Sequence, residues 1–100
     1  MTDKPDIYAI AIEASTALQR DQIQAFIKQE ADSWWHGLAD LWLVTGKSAE
    51  EWRNLLRVFF PKKGTGNLLV LKIDTEAAAS WSWRSWTFTD SQKKWISEHI

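Results

Sequence analysis

Two stretches of the chain are apolar on nearly every position of both faces. They are Ile7–Ile12, "IYAIAI", and Leu68–Ile73, "LLVLKI". Successive side chains of a strand point to opposite faces, so a strand of this kind must be covered on both sides. Tyr8, Ile10 and Ile12 alternate with Ile7, Ala9 and Ala11, and Leu68 and Val70 with Leu69, Leu71 and Ile73. A chain of 100 residues makes one compact domain. It therefore has to find two covers for one sheet.

The first cover is legible between the strands. Thr16 and Gln19 have capping-box spacing, which predicts a helix from about Ala17. Ile23, Phe26 and Ile27 form its inner stripe, continued by Ala31. Ser48 with Glu51 is a second capping box. Trp52, Leu55, Leu56, Phe59 and Phe60 follow at i, i+3, i+4, i+7 and i+8, and Pro61 stops that helix. Between the helices lies "SWWHGLADLWLV". Its Trp34–Gly37 reads as a short strand, Leu38–Asp40 as a tight turn and Leu41–Thr45 as a second strand, with one long strand across all twelve residues as the competing reading. Trp42 and Val44 are expected on one side of the sheet, with Leu41 and Leu43 on the other. "PKKGTGN" reads as a turn into the last core strand.

The order is thus strand, helix, strand, strand, helix, strand. With right-handed crossovers this predicts an α+β, ferredoxin-like βαββαβ sandwich, an antiparallel sheet with two helices on one face. The core runs from about 7 to 74 in a single domain spanning 1–100. A tryptophan-rich C-terminal extension follows from about 75 to 100. It ends in a short helix that Asp90 caps, with Trp95 and Ile96 on its inner side. The second sheet face is left for that tail or for a second copy of the chain. Leaving it wet exposes a larger apolar patch than a monomer usually carries, so a homodimer through the open sheet face is the expectation. Eight tryptophans and four phenylalanines also suggest a second buried surface.

Composition narrows the partners. The net charge is −1, so no global field attracts nucleic acid or anionic lipid, and phosphate binding needs a local cluster. There is no cysteine, which excludes disulfides and thiolate zinc sites. No apolar run approaches membrane-spanning length, and "MTDKPDIYAIAIEAS" has no signal-peptide pattern. No membrane partner and a cytoplasmic location are expected.

Few residues suggest chemistry. His36, beside Trp35, is a candidate general base or metal ligand, although a lone histidine among tryptophans is more commonly packed or hydrogen-bonded. Glu13, where the first strand meets its loop, is a candidate ligand for a hard divalent cation, Mg²⁺ or Mn²⁺. One carboxylate makes an incomplete ligand set, and a solvated turn residue is its plainer role. Lys62 and Lys63 could hold phosphate, although "PKKGTG" lacks the Walker pattern and reads first as a turn. Trp81, Trp83 and Trp86 could stack on unpaired bases with Arg84 adding charge, or pack on a neighbouring surface. No serine sits in a Gly-x-Ser-x-Gly elbow.

"IYAIAIE", "WWHGLADLWLVTGKSAEEWRNLL" and "NLLVLKI" resemble the small bacterial SinR-like family. That family belongs to the ferredoxin-like superfamily that includes the CRISPR adaptation protein Cas-two and the VapD-type toxin ribonucleases. The resemblance covers about residues 7–74. It implies a ferredoxin-like fold and a dimer. In the superfamily the first strand typically ends in an aspartate near the dimer axis, implicated in metal-dependent cleavage of nucleic acid. Glu13 stands at that position, one methylene longer. The acidic residue that tends to precede the last core strand is matched here by Gly66–Asn67. Two functions follow as expectations. One is a dimeric RNA- or DNA-binding protein, with or without metal-dependent nuclease activity at Glu13 and His36. The other is a non-catalytic module with a protein partner, such as a toxin–antitoxin, phage or anti-defence component.

Overall fold

The computed structural model describes residues 5–74 and 89–99. In chain order the elements are β1 (Ile7–Ala14), α1 (Ala17–Glu30), β2 (Ser33–Leu38), β3 (Leu41–Thr45), α2 (Ala49–Leu56), β4 (Gly66–Ile73) and α3 (Asp90–His99). A 3₁₀ turn, Arg57–Phe59, follows α2 directly. The four strands form one antiparallel sheet in the order β2-β3-β1-β4. Among the described residues the protein is a small α+β structure of four antiparallel strands and three helices, compatible with a ferredoxin-like fold.

The register sorts every side chain to a face. Trp34 pairs with Val44, Val44 with Tyr8, and Tyr8 with Lys72. One residue along, Trp35 pairs with Leu43, Leu43 with Ala9, and Ala9 with Leu71. The first row belongs to the helix side. There Tyr8, Ile10, Ile12, Trp42 and Val44 meet Ile23 and Ile27 of α1 and Trp52 and Leu56 of α2 in one buried cluster. Trp42, Ile10, Ile23, Ile27, Trp52 and Leu56 have no exposed surface. Each fully buried aliphatic side chain contributes about 1.5–3 kcal/mol relative to exposure, so this cluster dominates the stability of the domain.

Both helix starts follow their sequence signals, one with a shift. Ser48 and Glu51 form the full reciprocal box. At α1 the Thr16 side chain accepts from the Gln19 N–H. The Gln19 side chain, however, accepts from the N–H of Ser15 instead of Thr16. The stripe expected through Phe60 breaks after Leu56. Phe60 precedes Pro61 and is held out of the helical region at φ −125° and ψ 64°, as a residue before proline must be. The chain tightens into a 3₁₀ turn to get there. Phe59 and Phe60 are consequently half-buried at the margin of the core, and Leu55 is exposed.

The opposite face carries Ala9, Ala11, Leu41 and Leu43, all half-buried, and Leu69 and Leu71, which are 54% and 51% exposed. Part of it is covered by α3, which packs on β2. The Trp35 indole N–H donates to the Gln92 carbonyl at 3.1 Å, and the Gln92 side chain donates to the His36 carbonyl at 3.2 Å. The Trp35 ring lies over Gly37, where an added Cβ would come within 2.3 Å of it. Thr89 caps α3, in place of the expected Asp90. Its hydroxyl accepts from the Gln92 N–H, while Gln92 Oε1 accepts from the Thr89 N–H. Ile96 is buried, as its inner-face position requires, and Trp95 is half-buried. The expectations for Trp81, Trp83, Arg84 and Trp86 lie outside the described residues.

Candidate functional site

The most concentrated chemistry lies at one end of the sheet, where β1 finishes, β4 begins and the β2–β3 hairpin turns. Glu13 is exposed at the penultimate position of β1 and pairs in register with Asn67. Both sit on the face opposite α1 and α2, because they are in step with Ala9, Ala11, Leu69 and Leu71. Asn67 Nδ2 donates to Glu13 Oε1 at 2.6 Å. The hairpin closes the other side. The Ile12 N–H donates to the Asp40 carbonyl at 2.9 Å, which places Asp40 beside the end of β1. Glu13, Asp40 and Asn67 line one open depression of about 370 Å³, floored by Ala11, Ile12, Leu68 and Leu69.

A second depression of about 280 Å³ adjoins it, lined by Glu13, Ala14, Ser15, Gly64, Gly66 and Asn67. Gly64 brings the lysine turn to the site. The turn closes on itself, since the Thr65 N–H and hydroxyl both reach the Lys62 carbonyl. Lys62 and Lys63 are exposed, and neither lines either depression. Gly66 makes the close approach possible. Its φ is +126°, and a Cβ there would stand 2.2 Å from the Glu13 carbonyl and 2.9 Å from the Phe60 ring. Only glycine fits both conditions.

His36 has a different setting. Its ring stacks on the buried Trp42 ring at 3.8 Å between centroids, 9° from parallel. Its Nε2 lies 3.0 Å from the Ala39 carbonyl. A carbonyl only accepts, so Nε2 carries the proton in this arrangement and Nδ1 is left for any proton transfer. The imidazole braces the hairpin and caps the Trp42 ring. Trp34 and Lys28 extend that aromatic surface, with Lys28 Nζ 5.1 Å above the Trp34 ring and the Trp34 and Trp42 centroids 5.5 Å apart.

Of the residues picked from sequence, Glu13 and the Lys62–Lys63 turn come to the same end of the sheet, and Arg84 is outside the described residues. Asn67 as a side-chain partner of Glu13, Asp40 as a second carboxylate and Gln19 as a tether were not read from the sequence. They depend on the β1–β4 register, the hairpin position and, for Gln19, the seating of the α2–β4 loop on α1, none of which a local pattern encodes.

Two carboxylates are few for a hard cation, which takes six or more oxygens. Among the described residues there is no group of three or more histidines, cysteines, aspartates or glutamates that could hold a metal ion. Asn67 turns its amide nitrogen, rather than its oxygen, toward Glu13. The donor set suits Mg²⁺ held mainly by water and substrate oxygens, with one or two carboxylates, and not a cation caged by protein. No helix among the described residues is long and apolar enough to cross a membrane. No family model, curated protein or solved structure matches the chain.

Proposed function

We propose that the protein is a small ferredoxin-like, nucleic-acid-binding protein that works as a homodimer, distantly akin to the Cas-two and VapD-type proteins. The observation that carries the reading is the meeting of Glu13 with the Lys62–Thr65 turn at one end of the sheet. Exposed lysines beside a concave surface supply the local positive charge that a near-neutral chain otherwise lacks. Element order and strand order both support the βαββαβ assignment.

In this reading Lys62 and Lys63 hold the phosphate backbone. Glu13 and Asp40 line the adjoining depression, so a phosphate there lies near two acidic residues. A Mg²⁺ or Mn²⁺ ion, when bound, would neutralise that repulsion and act as a Lewis acid on the phosphate. Glu13 and Asp40 are the residues that would hold it. Asn67 orients Glu13 by occupying one of its oxygens. The dimer is the natural partner of this arrangement, since Glu13 lies on the same face as the exposed Leu69 and Leu71. Two-fold pairing of that face covers the leucines of both copies and brings both Glu13 side chains toward the axis.

One assay separates binding from catalysis. Labelled single- and double-stranded RNA and DNA are incubated with the protein and Mg²⁺ or Mn²⁺, with Glu13→Ala in parallel. Cleavage that Glu13→Ala abolishes supports a nuclease. Binding without cleavage in either protein restricts the function to binding. The second reading is a non-catalytic module with a protein partner, favoured by the exposure of Leu69 and Leu71. Absence of any nucleic-acid binding selects it.

A further inference from the structure

We infer that Gln19 is a positioning residue that fixes the Lys62–Thr65 turn beside Glu13, an inference that rests on the nucleic-acid reading above. One carboxamide is used at both ends. Its Oε1 accepts from the Ser15 N–H at 2.7 Å, at the corner between β1 and α1. Its Nε2 donates to the Phe59 carbonyl at 2.6 Å and to the Thr65 carbonyl at 2.9 Å. Those two carbonyls are the two stems of the loop that carries Pro61, Lys62, Lys63 and Gly64. The Ser15 hydroxyl reaches the same Thr65 carbonyl at 2.9 Å. The lysines themselves are exposed, and neither forms an ion pair among the described residues. Their place relative to Glu13 therefore depends on the stems, and Gln19 ties both stems to the residue two positions after Glu13. An ordinary helix cap needs only the Oε1 half of this arrangement. The Nε2 half serves the turn.

That division makes the test. Gln19→Glu keeps the acceptor for Ser15 and loses both donors. A carboxylate in the first turn of a helix is favourable, so α1 is retained. Gln19→Met, of similar length and uncharged, repeats the affinity measurement without added charge. Amide hydrogen exchange should quicken at Lys63, Gly64 and Thr65 in Gln19→Glu, with the amides of α1 unchanged. Affinity for a fluorescein-labelled single-stranded oligonucleotide should fall about tenfold in both variants, the scale of the net loss of the two Nε2 hydrogen bonds at the modest end of their range. The dependence of affinity on log salt should keep the wild-type slope, because both lysines remain. A slope reduced as in Lys62→Ala/Lys63→Ala would overturn the inference. So would unchanged turn exchange, or unchanged affinity where the double lysine variant binds weakly. If the double lysine variant binds as wild type does, the nucleic-acid reading itself fails, and the exchange data alone decide whether Gln19 holds the turn.

Discussion

Trp42 and Trp52 are both completely buried, yet replacing each with phenylalanine should have unequal effects. The Trp52 indole N–H donates to the Gly46 carbonyl at 2.9 Å. The Trp42 indole N–H is buried with no acceptor among the described residues. Both substitutions shrink a core side chain, at a cost well below the ~3–5 kcal/mol of truncation to alanine. That part is common to the two and drops out of the comparison. Trp52→Phe also strands the Gly46 carbonyl, whereas Trp42→Phe removes a donor that has no acceptor among the described residues. Leaving a buried polar group unsatisfied costs about 1–3 kcal/mol, and the lower end applies because Gly46 is only half-buried. A difference of about 1 kcal/mol moves the melting temperature of a domain this size by roughly 4–8 °C. Thermal unfolding followed by far-UV circular dichroism should thus place Trp52→Phe below Trp42→Phe by that margin. Equal melting temperatures, or the reverse order, would refute the reasoning.

Other substitutions test neighbouring parts of the account. Phe59→Ala should cost clearly less than the ~3–5 kcal/mol expected of Trp52→Ala, because Phe59 is only half-buried; denaturant unfolding of the two variants checks this. Gly66→Ala should be strongly destabilising, since it combines a positive φ with a Cβ 2.2 Å from the Glu13 carbonyl, and it should abolish the native fold or greatly lower its melting temperature. Gln92→Ala removes the side-chain half of the α3 capping box, its bond from the Thr89 N–H, and its bond to the His36 carbonyl; hydrogen exchange should quicken through α3 while α1 is unaffected. Sedimentation equilibrium at micromolar concentration should give a dimer that buries on the order of 1,200–2,000 Å² in total, and Leu69→Lys/Leu71→Lys should shift it to the 11.6 kDa monomer.

Much of the fold could be read directly from residues. Leu41–Thr45 and the start of α1 at Ala17 were delimited by turn and capping residues. The buried pair Trp42 and Val44 followed from strand alternation alone. What escaped was tertiary. The 3₁₀ turn after Leu56 arises from a clash imposed by Pro61 on Phe60, which a periodic stripe does not register. Strand β4 begins at Gly66, two residues before the apolar run, because Ala14 and Glu13 are there to pair with Gly66 and Asn67. The site suffered most from this. Glu13 is visible as the single charged residue of an otherwise apolar strand. Its partners Asn67 and Asp40, and the tether from Gln19, depend on register between segments distant in sequence.

The central claim is that Lys62 and Lys63 present nucleic acid to the end of the sheet. Fluorescence anisotropy of a labelled single-stranded oligonucleotide, titrated with wild type and with Lys62→Ala/Lys63→Ala across a salt series, measures it directly. Each phosphate contact on a single strand contributes about 0.7 to the slope of log affinity against log salt. The account predicts that the double variant binds more weakly and that its slope is shallower by roughly 1.4, two contacts' worth. An unchanged slope, or no binding by the wild type, would contradict it.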